Sequence, residues 1–268
     1  MSAGRSARLS RIGTGGRYLV VPMDHGLTLG AVNGLVDIES TVDAVTAGGA
    51  DAVLTQKGVA SRVHDHRNGA GYIVHLNGST SVGPDENDKR PTATVADAIR
   101  AGADAVSFHV NVGSEHEPDQ LTQLGELTST AAEYGMPVLA MTYARGHDVR
   151  TDDPEAFADV LAHAVRAGEE LGADLIKTAY SGTPATFKRV TDATRLPVVI
   201  AGGSRGTDQQ TLSMVRGAMD AGAAGVSMGR SIFQHERPGR ITSAVSAVVH
   251  DDADADAALR RADLAAEA

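Results

Sequence analysis

Apolar residues along the chain come in short runs, each entered from a longer stretch with helical periodicity. Eight runs read as buried strands: Leu19–Asp24, Ala52–Gln56, Tyr72–Leu76, Ala105–Asn111, Val138–Ala144, Asp174–Tyr180, Val198–Gly202 and Gly225–Gly229. The clearest helical stretches between them are Pro118–Tyr134, Pro154–Leu171, Pro184–Thr194 and Thr207–Ala221. Pro154 and Pro184 stand near expected first turns, where a missing N–H costs nothing.

One phrase marks four of the helix-to-strand junctions: Ala47-Gly48-Gly49-Ala50-Asp51, Ala101-Gly102-Ala103-Asp104, Leu171-Gly172-Ala173-Asp174 and Ala221-Gly222-Ala223-Ala224. Its glycine suits a left-handed helix cap, and the run that follows reads as the next strand. Strands entered repeatedly from helices are βα units of a parallel sheet. Eight units in 268 residues predict an α/β fold, a TIM (β/α)8 barrel spanning residues 1–268 as one domain with short helical extensions at both ends. A doubly wound open sheet would need a Gly-rich dinucleotide turn after the first strand, and Val21-Pro22-Met23-Asp24-His25-Gly26 is not one. The first 17 residues are expected to cover the bottom of the barrel, Gly78–Pro91 to form a long polar loop, and Asp251–Ala268 to form a terminal helix.

Composition narrows the function. A formal charge of −10 argues against nucleic acid as a partner. No apolar stretch is long enough to span a membrane, and the arginines Arg5, Arg8 and Arg11 are not followed by a secretory apolar core. With no cysteine there are no disulfides, thiolate ligands or thiol nucleophile, and the expected location is cytoplasmic. Acidic residues are 23 Asp against 11 Glu, while the basic ones are 20 Arg and only Lys57, Lys89, Lys177 and Lys188. Such a surface fits adaptation to high salt, and equally the codon bias of a GC-rich genome. Either way, each remaining lysine asks for an explanation.

Active sites of (β/α)8 barrels lie at the C-terminal ends of the strands. Lys177 sits inside Leu175-Ile176-Lys177-Thr178, a strand expected to be covered on both faces. Burial disfavours the charged amine and leaves a nucleophile able to attack a carbonyl. Tyr143 ends the neighbouring fifth strand and could relay a proton, and Asp24 ends the first strand and could act as a base. Ala201-Gly202-Gly203-Ser204 and Met228-Gly229-Arg230-Ser231 end the last two strands, where such barrels often hold phosphate. His64, His66, His75 and His109 have no spacing that points to a metal site, so no metal and no cofactor is expected.

The phrases Val21-Pro22-Met23-Asp24-His25-Gly26, Phe108-His109-Val110-Asn111-Val112-Gly113, Met141-Thr142-Tyr143-Ala144-Arg145-Gly146, Leu175-Ile176-Lys177-Thr178-Ala179-Tyr180 and Met228-Gly229-Arg230-Ser231 together resemble the archaeal class I, Schiff-base aldolase family. The resemblance implies that Lys177 forms the imine, that Tyr143 donates a proton and that Asp24 accepts one. It implies a sugar phosphate held by His25, Gly26, Leu27 and Thr28, by Ala144 and Arg145, and by Gly202, Gly203, Gly229 and Arg230. Asn111-Val112-Gly113 and Gln234-His235 favour a transaldolase branch, which moves a ketone-derived fragment of 6-deoxy-5-ketofructose 1-phosphate to L-aspartate semialdehyde, over the fructose-bisphosphate aldolases. Ala144 departs from the proline expected there, which bears on the loop shape. The resemblance also implies a homo-oligomer, a decamer of stacked pentamers. A catalytically silent sugar-phosphate-binding barrel and a metal-dependent aldolase are the other readings, and both make small molecules the partners.

Overall fold

The computed structural model describes residues 2–203 and 206–264. The expected loop residue Ser204 and the end of the expected terminal helix lie outside the described residues. Eight parallel strands close into a barrel: β1 (Tyr18–Pro22), β2 (Ala52–Gln56), β3 (Gly71–His75), β4 (Ala105–Val112), β5 (Val138–Ala144), β6 (Leu175–Thr178), β7 (Val198–Ala201) and β8 (Gly225–Ser227). Each pairs with its sequence neighbours, and β1 closes the ring on β8 through Tyr18 opposite Gly225 and Val20 opposite Ser227. The fold is the expected (β/α)8 barrel, although several strands stop earlier than the apolar runs. Asp24 follows β1, and Ala179 and Tyr180 have left the ladder of β6.

Alternation along each strand divides the core in two. Val20, Leu54, Ile73, Ala105, Leu139, Met141, Leu175 and Val199 fill the barrel, and Ile12 joins them from below. Leu19, Val21, Val53, Val74, Val106, Ala140, Ile176 and Ile200 point outward and pack under the helices. Helix starts follow local chemistry. Asp153 caps Pro154–Glu170 by accepting from the Glu155 and Ala156 amides, and Thr207 with Gln210 makes a capping box for Asp208–Asp220.

The repeated phrase does two things. Gly49, Gly102, Gly172 and Gly222 take φ of +96°, +74°, +89° and +92°, ending each helix in the left-handed region. The aspartate of the first three copies then reaches sideways to the entry of another strand. Asp51 accepts from the Leu19 amide at 2.7 Å, Asp104 from Tyr72 at 3.0 Å and Asp174 from Val138 at 2.9 Å. Those amides belong to the first or second residue of β1, β3 and β5, so the carboxylates satisfy strand N–H groups at the barrel floor. The N-terminal segment covers this floor. Arg5 pairs with Asp174 at 2.9 Å, Arg11 with Asp104 at 3.1 Å, and Arg8 donates to the Gly135 carbonyl at 3.2 Å.

Two expectations are refined. The Gly78–Pro91 loop is pinned at its base by a short antiparallel ribbon, Asn77–Gly78 against Arg90–Pro91. Within Asp251–Ala268 the described residues form one short helix, Ala255–Arg261, capped by Asp254 and set off from the preceding helix Pro238–Asp251 by Asp252 with φ of +56°. Among the described residues no helix is long and apolar enough to cross a membrane.

Candidate active site

The pleat that fills the barrel also delivers polar groups to its mouth. Continuing the inward positions beyond the hydrophobic layers brings up His75, His109, Tyr143 and Lys177 in place of aliphatic side chains. His109, Tyr143 and Lys177 border a cavity of about 330 Å³ at the C-terminal ends of the strands, and His75 lies behind Asp24, its Nε2 3.8 Å from that carboxylate. Asp24, His25, Thr28, Tyr143, Arg145, Lys177, Gly202, Gly203, Gly229 and Arg230 all line it. Gly26, Leu27 and Ala144 do not. The short helix His25–Leu29 turns Gly26 and Leu27 away from the opening, and a Leu27 methyl instead covers Gly78, where a Cβ would come within 2.5 Å of it. Ala144 is buried on the outward face of β5, one residue out of phase with Tyr143. Lys89, Glu86, Met141 and Ser227 also line the cavity without having been expected there, and His109 joins them from a strand end of the kind where the active site is sought. Lys89 had a signal in the scarcity of lysine, whereas Glu86 had none.

Lys177 is 6% exposed, and among the described residues none hydrogen-bonds to its amine or pairs with it within 4.0 Å. A second lysine is a useful contrast: Lys57 lies outside the barrel and pairs with Asp97 at 3.1 Å. Asp24 faces two imidazoles, His75 Nε2 at 3.8 Å from one carboxylate oxygen and His25 Nδ1 at 3.5 Å from the other. Burial alone would push the Asp24 carboxyl up, but facing His75, His25 and Lys177 outweighs it and holds the group below the usual carboxylate range. Asp24 is therefore ionised near neutrality.

The histidines go the other way. Burial depresses His75 to about 4, with Lys177 and Lys89 pushing the same way against the pull of Asp24. Burial also holds His109 well below its ordinary value, helped by Arg145 and Lys89, and lowers His25, helped by Lys177 and Arg230. The mouth thus contains neutral rings, the Asp24 carboxylate ion, Glu86 at its edge and a cluster of cations. A neutral buried histidine has a consequence for stability. The unfolded chain takes up a proton on His75 near pH 6.5 and the folded one only near 4, so the unfolded state binds more protons in that window. Stability should fall by about 3 kcal/mol as the pH drops across it. Urea midpoints from pH 7 to 4 should show this fall in the parent and a flatter profile in His75→Gln. Equal slopes in both would reject His75 as the source.

Tyr143 is held from two sides, by the His109 ring at 4.9 Å between centroids and by the Arg145 guanidinium 5.2 Å from its ring centre. The His109 ring is itself fixed by Nε2 against Asn111 Oδ1 at 2.7 Å. On the other side of the mouth the backbone comes close to the cavity. Gly203 takes φ of +63°, and Arg230 donates to its carbonyl at 3.3 Å. At Gly229 a Cβ would lie 2.5 Å from the His25 ring and 2.7 Å from the Pro22 carbonyl, so glycine is required for that approach.

A wider, more open depression of about 710 Å³ lies at the barrel floor, but its charged lining is engaged in the pairs of Arg11 and Arg67 with Asp104 and of His250 with Asp51. Among the described residues no three His, Asp or Glu side chains converge as a metal site.

A closed (β/α)8 barrel with a buried lysine, unpaired among the described residues, and a carboxylate at its mouth has the plan of a lysine-imine aldolase, and comparison with known proteins agrees. Residues 18–235 match the DeoC/LacD family of aldolases, and the chain belongs to that family. It is 62% identical over 266 residues, 99% of each chain, to 2-amino-3,7-dideoxy-D-threo-hept-6-ulosonate synthase of Halobacterium salinarum. It is 37% identical over 268 residues, 98% of this chain and 97% of the other, to 2-amino-4,5-dihydroxy-6-oxo-7-(phosphonooxy)heptanoate synthase of Streptomyces griseus. Among solved structures it resembles an archaeal fructose-1,6-bisphosphate aldolase whose catalytic lysine carries a carbinolamine intermediate, with a TM-score of 0.81 and 27% identity over 91% of this chain and 99% of that one.

Proposed function

We propose that this chain is a Schiff-base transaldolase that transfers a ketone-derived fragment of 6-deoxy-5-ketofructose 1-phosphate to L-aspartate semialdehyde, giving 2-amino-3,7-dideoxy-D-threo-hept-6-ulosonate. The observation that carries the reading is Lys177, buried beside an open cavity and paired with no carboxylate among the described residues. Its amine condenses with the C5 ketone of the sugar phosphate and water leaves, forming the protonated imine. The bond between C3 and C4 then breaks, its electrons passing into the imine to give an enamine, while the C3 hydroxyl proton goes to the Asp24 carboxylate. Hydroxypyruvaldehyde phosphate departs. The enamine carbon attacks the aldehyde of the acceptor, Tyr143 protonates the new alkoxide, and water hydrolyses the imine. One proton is taken by Asp24 and one is given by Tyr143 in each cycle; the proton on Asp24 returns through water to the Tyr143 phenolate, which restores both groups and closes the balance.

Three features support this assignment. Asp24 is held ionised, as a base must be. Tyr143 is clamped with its ring against the cavity. In a chain of charge −10, Lys89, Arg145, Lys177 and Arg230 converge on one mouth, which draws in anionic substrates. The bound sugar phosphate lies between Arg145 on one side and, on the other, Arg230 with the backbone at Gly202, Gly203 and Gly229 and the His25–Thr28 turn. The same reading takes residues 1–268 as one barrel unit, active in the cytoplasm as a homo-oligomer, a decamer on the family pattern.

Incubation with both substrates and mass analysis of the products tests it directly. The seven-carbon amino acid should form, with hydroxypyruvaldehyde phosphate released in equal amount. Cleavage of fructose 1,6-bisphosphate alone would make the chain a class I fructose-bisphosphate aldolase. Sugar-phosphate binding with neither reaction would make it a silent binding barrel.

A further inference from the structure

Both sides of the cavity carry cations, and each has a carboxylate: on the Arg230 side it is Asp24, which the proposed reaction uses as its base, and on the other it is Glu86, for which that reaction has no role. In the strand order the loop after β3 lies directly opposite that after β7, and the loop after β5 stands three strands round the ring from that after β8. Lys89 and Arg145 stand on the first side, and Glu86 joins them at the lining. Lys89 is 6% exposed, and among the described residues its ammonium makes one hydrogen bond, to Ser79 Oγ at 2.8 Å. Two of its three donors remain for a ligand. The loop that carries the pair is built, not loose. Ser79 Oγ donates to the Glu86 carbonyl at 2.6 Å, the Asn87 carbonyl accepts from Asn111 Nδ2 at 3.0 Å and Gln120 Nε2 at 2.6 Å, and His116 meets Asp85 at 2.9 Å. These contacts hold a buried ammonium and a carboxylate side by side at the edge of a reaction cavity.

A pocket meant only for phosphate gains nothing from a carboxylate at its edge, since like charges repel. A zwitterion needs both signs. We infer that Lys89, Arg145 and Glu86 form the subsite for the α-amino acid end of the acceptor aldehyde, Lys89 and Arg145 taking its carboxylate and Glu86 its ammonium. This inference rests on the transaldolase reading. The new bond forms at the enamine carbon from which the first fragment departs, so the two occupy the same end of the cavity in turn. Lys89 and Arg145 therefore meet the leaving phosphate first and the carboxylate second. The ketone's other carbon is the C6 methyl, so the Arg230 side meets no second anion of these substrates.

Because the sugar phosphate uses the same cations, the test replaces it with hydroxyacetone, which gives the same enamine on Lys177 without an anion. Acceptor kinetics are then compared for aspartate semialdehyde and for succinate semialdehyde, which lacks the amino group. A site built around a charged group rejects the analogue that lacks it. The parent should prefer aspartate semialdehyde by about 100-fold in kcat/KM, and Glu86→Gln should cut that preference below about tenfold by raising KM for aspartate semialdehyde alone. Lys89→Met should raise KM for both acceptors by about tenfold, and Lys89→Arg should recover part of it. Glu86 is exposed, so its variant reports on binding and not on folding. Parent-like discrimination in Glu86→Gln overturns the subsite while leaving the transaldolase intact. No condensation of aspartate semialdehyde by the parent overturns the transaldolase reading itself.

Discussion

Lys177→Met should lose on the order of 10⁴-fold or more of the turnover, while its melting temperature stays within a few degrees of the parent's. The first half follows from covalent chemistry: without the amine there is no imine and no electron sink for the carbon–carbon bond. The second half follows from the surroundings. Methionine keeps the length and unbranched shape of lysine, and the amine has no hydrogen-bond partner among the described residues to lose. Lys177 is flanked on the barrel's inner face by Leu175 on its own strand and by Met141 opposite, which accept a thioether without rearrangement. Turnover and a thermal melt on the same sample check both halves. A variant that unfolds would show that the lysine is structural, and a variant that still turns over would remove it from the reaction.

The next largest effect is expected for Tyr143→Phe. A positioned general acid contributes typically 10²–10⁴-fold, so kcat should fall by about that amount. The ring contacts do not involve the hydroxyl: the His109 face and the Arg145 guanidinium both pack on the aromatic ring, which phenylalanine retains. Imine formation with the sugar phosphate should therefore remain detectable in the variant, with protonation of the new alkoxide slowed. Steady-state kcat beside reductive trapping separates the two steps. Unchanged kcat would take the Tyr143 hydroxyl out of the mechanism.

What the chain discloses before it is folded depends on the range of the interaction. The barrel is readable because the two-residue alternation of a strand is local: Leu175, Lys177 and Val199 fall inside for the same reason that Ile176 and Ile200 fall outside. A lysine in such a pattern is visible at once, and so is a tyrosine at the end of the adjacent strand. Phase errors come from the turns just after the strands. Gly26 and Leu27 follow Asp24 closely, yet the short helix His25–Leu29 rotates them off the cavity, and Ala144 is one step out of phase with Tyr143. Glu86 and Lys89 reach the mouth only because a loop closed by the Asn77–Gly78 ribbon folds back over it through contacts with Asn111, Gln120 and His116. No local pattern encodes that return. The aspartates of the repeated phrase are a similar case. Their capping of strands β1, β3 and β5 spans 32 to 36 residues, and only the closed sheet brings donor and acceptor together.

The central claim is that one lysine becomes covalently attached to the sugar. Borohydride reduction in the presence of the sugar phosphate, followed by digestion and mass mapping, measures this most directly. The account predicts a stable adduct on the peptide containing Lys177 and none in Lys177→Met. A label on Lys57 or Lys89 in its place, or no label in a preparation that turns over substrate, would contradict it.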